Sequence, residues 1–287
     1  MSVNIPWWAK IGSKIILSRL PFNYRLWQKM GLFRHGRMDQ SGYLSGVFDS
    51  HISRAGINAD LAGKTVLELG PGDSVGTALL AASYGAKAYL IDAGDFAVKD
   101  VGFYQTLADD LKTRGLNTPD ISHTSNLNEI LEACRACYLT NGVRSFTSIE
   151  TGTIDIIFSQ AVLEHVRKHE FLETMSECRR VLSDNGVASH RVDLKDHLGG
   201  GLNNLRFRDN LWESDFFTKS GFYTNRIRYT EMLSLFKEAG FCVDVVDVRK
   251  WGELPIKRSS LDAGFSEFSN DELMVKGFDV LLRPNGC

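Results

Sequence analysis

The chain lacks the long apolar segments and the strong charge excess that would place it in several large classes of protein. No stretch reaches about 18 uncharged apolar residues, so the sequence offers no candidate for a membrane-spanning helix. The formal net charge is only −2, which excludes a uniformly basic nucleic-acid coat but not a local basic patch. Prolines number six and the 26 glycines follow no short period, so a collagen-like or low-complexity chain is excluded.

Cysteines are few and odd in number, five in all. No secretory signal and no carboxyl-terminal anchor is recognisable, so we expect reduced thiols and a cytoplasmic location. Cys134 and Cys137 form a CxxC, but no second pair follows. We therefore expect two incidental thiols on one helix rather than a zinc or redox site.

Residues 1–50 differ from the rest of the chain, because they carry seven Lys and Arg residues against two acids. Apolar residues recur there at helical spacing with lysines between them: Trp7, Trp8, Ile11, Ile15 and Ile16. Two interpretations remain open. The segment is either a helical cap that packs on the main domain or a helix whose residues 1–20 contact an anionic membrane surface.

From residue 64 onward, strand-like runs alternate with helical segments. This alternation predicts an α/β fold, a doubly wound and mostly parallel sheet of seven strands. The expected strands are 65–69, 88–91, 137–140, 154–159, 187–192, 241–248 and 278–282, and the clearest helices are 75–84, 167–182 and 230–239. We expect residues 1–55 to form a basic helical extension and residues 56–287 the main domain, with a substrate-side insertion at about 195–229.

A glycine-rich turn, Gly70-Pro71-Gly72, follows the first expected strand and precedes a helix. Glycines there let a ligand approach the backbone, and the start of the helix offers unpaired N–H groups. Asp92 closes the next strand, 20 residues after Gly72, where a carboxylate can accept hydrogen bonds from two ribose hydroxyls.

The turn departs from the GxGxxG pattern of dinucleotide-binding proteins, since Val75 occupies the last glycine position. A GxGxxxG spacing through Gly76 leaves an NADP-binding oxidoreductase open as an alternative. Glu68 and Asp73, however, place negative charge where a pyrophosphate would lie. That charge favours a ligand with an amino group and a sulfonium.

Three segments, in order, resemble the motifs of class I S-adenosylmethionine-dependent methyltransferases. The run from Val66 to Gly72 (VLELGPG) resembles their first motif, and Ile154 to Val166 (IDIIFSQAVLEHV) resembles the motif of their fourth strand. Arg180 to Gly186 (RVLSDNG) resembles the lead into their fifth strand. The resemblance implies a Rossmann-like methyltransferase fold, methyl transfer and S-adenosyl-L-methionine as cofactor. It is closest to small-molecule enzymes of the kind that act in bacterial surface-glycan pathways, which implies a small-molecule or glycan acceptor.

The resemblance also implies roles for individual residues. Gly70 and Gly72 would pass the methionyl part of the cofactor, Glu68 would orient its amino group, and Asp92 would hold the ribose. The complete set of implied cofactor-binding residues is Glu68, Gly70, Pro71, Gly72, Asp73, Ser74, Asp92, Ala93, Asn141, Gly142, Ser159 and Gln160.

Two histidines and two aspartates are concentrated at the carboxyl end of the fifth expected strand, the edge where open α/β sheets bind ligands. An alcohol nucleophile benefits from a base near neutral pKa, which favours histidine. We take His197 as the first candidate base, Asp196 or Asp193 as its orienting partner, and His190 as the second candidate. The spacing matches no standard metal-binding pattern, so no metal site is predicted. A purely structural role for these residues remains open.

The segment 205–229 combines aromatic residues with arginines, which suits a sugar ring that carries an acidic group. The predicted substrate-binding residues are Trp212, Tyr223, Asn225 and Arg226. A hydrophobic cap over the cofactor is the alternative role of this segment.

A nucleic-acid methyltransferase is disfavoured because the turn at Ser159 has no proline and because the chain after residue 50 is acidic.

Overall fold

The structure, a computed structural model, describes residues 6–19, 40–57 and 60–284. Residues 1–5 and 20–39 of the predicted basic extension lie outside the described residues, as do the side chains of Lys10, Lys14 and residues 16–19.

A single seven-stranded sheet carries the described fold. Its strands are β1 Thr65–Leu69, β2 Lys87–Ile91, β3 Ala136–Leu139, β4 Ile154–Gln160, β5 Leu182–Asp193, β6 Phe241–Lys250 and β7 Val275–Pro284. The order is β3-β2-β1-β4-β5-β7-β6. Strand β7 runs antiparallel to both of its neighbours, β5 and β6, and the other strand pairs are parallel. The expected doubly wound, mostly parallel sheet is confirmed.

Helices cover both faces of the sheet. The α-helices of the described residues, including those outside these two layers, are α1 Trp7–Arg19, α2 Ser41–Arg54, α3 Gly76–Ser83, α4 Val101–Thr113, α5 Leu127–Ala133, α6 Phe171–Val181, α7 Asp209–Trp212, α8 Asp215–Thr218, α9 Tyr229–Glu238, α10 Ala263–Ser266 and α11 Asn270–Leu273. Alternate residues of the central strands face opposite helical layers, as the period of two in a strand requires. Val66 and Phe158 join the core under α2 to α5, whereas Leu67 and Ile157 join the core under α6 and α9.

Two local predictions were wrong. Cys134 and Cys137 do not share a helix: Cys134 directly follows α5 and is buried, whereas Cys137 lies exposed in β3. Between them Arg135 takes a left-handed φ of +53°, which ends the helix. Strand β5 begins at Leu182, earlier than expected. Leu182 pairs with Ile154 and Val187 with Ile156, so the intervening residues form a bulge rather than a free turn.

Helix α1 packs on the aromatic insertion through three residues of the predicted apolar stripe, Trp7, Ile11 and Ile15. Ile11 is buried in a cluster with Trp212 and Phe222, and the ring of Trp7 meets that of Phe207 edge to face at 6.1 Å. These contacts agree with the interpretation of a helical cap. Contact with a membrane stays a prediction; Trp8, on another side of α1, is 64% exposed.

Helix α2 lies in the same core as β1 and α3, through Leu44 and Phe48. The predicted division at residue 55 stays a prediction, although α2 ends just before it. Across the described ranges, every helix is too short or too polar to cross a bilayer.

Candidate functional site

The glycine turn after β1 has the backbone conformation that its sequence requires. Gly70 and Gly72 take left-handed φ values of +69° and +65°. The Gly70 N–H donates to the carbonyl of Ile91 at 2.8 Å, which ties the turn to the end of β2. A Cβ on Gly70 would lie 2.5 Å from a methyl group of Val162, so no larger residue fits.

Asp92 holds the second half of this turn. Its Oδ2 accepts the Gly72 N–H at 2.9 Å and its Oδ1 accepts the Ala93 N–H at 2.7 Å. Asp92 is half-buried at the carboxyl end of β2. The same loop meets the end of β3, where the Gly142 N–H donates to the Asp92 carbonyl at 2.9 Å. The structure thus brings Gly72, Asp92, Ala93 and Gly142 together.

Glu68 is the buried acid of this site, 2% exposed. Burial raises the pKa of Glu68, the neighbouring Thr77 hydroxyl lowers it and the charge of Asp92 raises it, and the net value is about 8. Its Oε2 finds no hydrogen-bond partner among the described residues. An orphaned carboxylate oxygen beside a glycine turn fits a cationic ligand, which would supply both the missing contact and the opposite charge.

The remaining residues of the turn are covered by the chain that follows β2. The carbonyl of Asp73 accepts the Val98 N–H at 2.9 Å, and Ser74 Oγ accepts the Gly76 N–H at 3.0 Å. Pro71, Asp73 and Ser74 are all buried. Their observed contacts shape the turn. Asn141, by contrast, is exposed after β3, and its N–H donates to Ser145 Oγ at 3.0 Å.

Ser159 and Gln160, at the end of β4, point to opposite faces of the sheet. Ser159 Oγ lies 2.8 Å from His190 Nδ1, and both side chains are buried. Burial lowers the pKa of His190 to about 3, so this imidazole is neutral. On the other face, Gln160 Oε1 lies 3.1 Å from His51 Nε2. Sequence reasoning missed His51, because the bond crosses 109 residues of chain.

The loop after β5 is organised by Asp196. Its buried carboxylate accepts the backbone N–H groups of four residues, Leu198, Gly200, Gly201 and Asn203, and the side-chain amide of Asn203. These bonds hold the loop after β5 together, and the predicted role of Asp196 as the orienting partner of His197 stays a prediction. Asp193 accepts the Lys195 N–H at 3.0 Å and forms an ion pair with the Lys195 ammonium group at 3.1 Å.

His197 lies exposed at this edge, and its ring meets the ring of His165 at 4.7 Å, edge to face. His165 Nδ1 lies 2.9 Å from the carbonyl of Tyr223. Because a carbonyl only accepts, Nδ1 carries the proton and Nε2 stays on the other side of the ring. His165 belongs to the run IDIIFSQAVLEHV at residues 154–166 and was not among the predicted site residues. The structure instead places a second imidazole beside His197.

The four predicted substrate-binding residues are buried, and their polar groups bond within the protein, to backbone carbonyls and to the side chains of Glu213 and Asp209. Trp212 Nε1 donates to the Thr224 carbonyl at 2.7 Å, and the Asn225 amide donates to the carbonyls of Leu163 and Val166 at 2.8 and 3.0 Å. The guanidinium of Arg226 donates to the Asn204 and Phe207 carbonyls. The Tyr223 hydroxyl donates to Glu213 at 2.8 Å. Direct substrate contact by these side chains stays a prediction, and their observed role is to hold the insertion together.

Glu164 is a second buried acid, and both of its carboxylate oxygens lack partners among the described residues. Burial raises the pKa of Glu164 well above its ordinary value. Within the described part of the chain, no three His, Cys, Asp or Glu residues form a cluster suited to a metal ion.

A family model described as a methyltransferase domain matches residues 42–246. Comparison with curated proteins gives no match. Among solved structures, the carbon methyltransferase CurJ is 12% identical with a TM-score of 0.44, over 86% of this chain and 54% of that one. Phosphoethanolamine N-methyltransferase 2 of Haemonchus contortus is 13% identical with a TM-score of 0.44, over 82% and 52%. The chain therefore spans about half the length of these two proteins.

Proposed function

Because the chain belongs to the methyltransferase-domain family, whose cofactor is S-adenosylmethionine, we propose that it transfers a methyl group from this cofactor to a small-molecule or glycan acceptor. The glycine turn with its two carboxylates carries the proposal. Asp92 fixes the turn and is only half-buried, and Glu68 holds a buried oxygen without a partner among the described residues. Both carboxylates suit a ligand that presents hydroxyl groups, an ammonium and a sulfonium.

The cofactor supplies an activated methyl group when it is bound, and the chain's residues would hold it along the turn. Asp92, Ala93 and Gly142 stand where the ends of β2 and β3 meet, which suits the nucleoside. Gly70 and Gly72 leave room at the backbone for the amino-acid part, beside Glu68. A carboxylate at Glu68 stabilises the positive charge of that part.

We further propose a hydroxyl acceptor with His197 as the base. His197 is exposed at the carboxyl edge of β5, whereas His190 is wholly buried behind Ser159 and would need a structural opening to reach an acceptor. The adjacent ring of His165 gives the same edge a second imidazole. A glycan acceptor is favoured by the family resemblance of the motifs. Cytoplasmic location stays an expectation from the sequence.

The test combines calorimetry, which measures cofactor binding, with an assay of methyl transfer. We expect the protein to bind S-adenosylmethionine and S-adenosylhomocysteine, and to move labelled methyl onto a member of a panel of nucleotide- and lipid-linked sugars. His197→Ala should leave cofactor affinity within about twofold and slow transfer by about 10²-fold, the usual contribution of a general base. His169→Ala, an exposed histidine on another segment, is the control. Tight binding of NADPH without binding of S-adenosylmethionine would refute the function, and wild-type transfer by the His197 variant would refute the base.

Cofactor binding should also release a proton from Glu68. With a pKa of about 8, most Glu68 is protonated at pH 7, and a cationic ligand favours the carboxylate. Binding therefore releases about one proton at pH 7, and affinity rises roughly tenfold from pH 6 to pH 7. Calorimetry in buffers of different ionisation enthalpy measures this proton. Glu68→Gln should abolish both the release and this pH dependence; an unchanged proton count in that variant would exclude Glu68 as its source.

A further inference from the structure

A buried polar network joins helix α2 to the carboxyl ends of β4 and β5. His51 Nε2 lies 3.1 Å from Gln160 Oε1, and His51 Nδ1 lies 2.8 Å from Ser189 Oγ. His51 is wholly buried, whereas Gln160 is partly exposed. The network therefore runs from the core under α2 to the partly exposed end of β4.

The proton positions in this network follow from Arg54. Its Nη1 lies 3.2 Å from His51 Nδ1, and a guanidinium can only donate, so Nδ1 is an acceptor. Burial, and then the charge of Arg54, lowers the pKa of His51 to about 4, so the imidazole is neutral and carries its one proton on Nε2. Nε2 consequently donates to the carboxamide of Gln160, which can accept this bond only through its oxygen. The oxygen is turned towards His51, and the amide NH₂ group is turned away from it.

Gln160 stands beside the glycine turn. Ser159, one residue before it, pairs with Leu69 in the parallel ladder, and Val162, two residues after it, meets the position that a Cβ on Gly70 would take. The acids of the turn, Glu68 and Asp92, suit cationic and donor groups. An amide NH₂ at the same edge suits an acceptor, and the strongest acceptor of S-adenosylmethionine is its carboxylate.

We propose that His51 is a positioning residue for the cofactor: it fixes the Gln160 amide so that its NH₂ group binds the carboxylate of the methionyl part. This inference rests on the proposed function and adds to it the residue that orients one contact. Arg54 belongs to the same device, because its guanidinium keeps the proton off His51 Nδ1 and is itself held by Asp279 at 3.1 Å.

Two probes separate this role from a general effect on folding. S-Adenosylhomocysteine carries the carboxylate, and S-(5′-adenosyl)-3-thiopropylamine is the same molecule without it. We expect His51→Leu to weaken binding of S-adenosylhomocysteine about tenfold, which is the range of one hydrogen bond to a charged group. Binding of the thiopropylamine, which has no carboxylate, should weaken less than about twofold. A purely structural role of His51 would weaken binding of both probes equally.

Three further variants complete the experiment. Phe48→Leu, one turn earlier on α2 and also buried, should lower stability without changing the ratio of the two affinities. His51→Gln keeps an N–H donor at the position of Nε2 and should restore part of the lost affinity. Gln160→Met retains length and removes the amide, and it tests the contact if His51→Leu does not fold. Equal effects on both probes, or no effect on either, would overturn the proposal. Failure of the wild-type protein to bind S-adenosylhomocysteine would overturn the proposed function itself.

Discussion

Asp92→Ala is expected to weaken binding of S-adenosylmethionine by about 100-fold, or roughly 2.7 kcal/mol. The variant loses a carboxylate that can accept two ribose hydroxyls, and hydrogen bonds to charged groups contribute about 1.5–3 kcal/mol each. It also leaves the N–H groups of Gly72 and Ala93 without the acceptor that holds the turn. Calorimetric titration with S-adenosylmethionine and S-adenosylhomocysteine measures the change, and both ligands should be affected alike because they share the ribose.

Asp95→Ala is the matched control for this experiment. Asp95 lies three residues further along the same loop and is exposed, with Lys99 as its ion-pair partner. An exposed pair of this kind contributes little to stability, so the control should bind the cofactor like the wild-type protein. Equal affinities for the Asp92 and Asp95 variants would show that the end of β2 does not hold the ribose.

The central strands could be predicted from sequence because their patterns are local. Strand β1 occupies the expected residues, Thr65 to Leu69, since an apolar run is followed at once by Gly70-Pro71. The bulge in β5 could not be read in this way. Asp184-Asn185-Gly186 has the composition of a turn, yet the strand continues through it because β4 pairs with both flanks, with Leu182 before it and Val187 after it.

The same distinction between local patterns and contacts that form only on folding applies to the candidate site. Glycines and acids next to strand ends, such as Gly70, Gly72 and Asp92, were found from spacing along the chain, because parallel strands bring their carboxyl ends to one edge. His51 was missed, because only folding brings α2 to Gln160 and Ser189. The burial of Arg226 could not be predicted from the sequence either. An arginine in an aromatic segment suggests ligand binding, and only the structure shows its guanidinium bonded to two backbone carbonyls and to the carboxylate of Asp209.

Gly70→Ala is expected to destabilise the protein by about 2–5 kcal/mol and to abolish measurable cofactor binding. The left-handed φ of +69° costs about 1–2 kcal/mol for a residue with a Cβ. Overlap of the new methyl with Val162, which would lie at 2.5 Å, adds about 1–3 kcal/mol and displaces the turn. Urea unfolding monitored by circular dichroism gives the free energy of unfolding, and calorimetry gives the binding.

Gly63→Ala separates the two contributions. Gly63 has a similar φ of +75°, but a Cβ there would meet nothing within 4 Å, so this variant should lose only the conformational part, about 1–2 kcal/mol, and should keep cofactor binding. In a Val162→Ala background, Gly70→Ala should destabilise less than in the wild-type protein, since the overlapping methyl groups are gone. If Gly70→Ala and Gly63→Ala proved equally costly, and the Val162 background changed nothing, close packing of the turn against Val162 would be refuted. The site would then depend on backbone conformation alone.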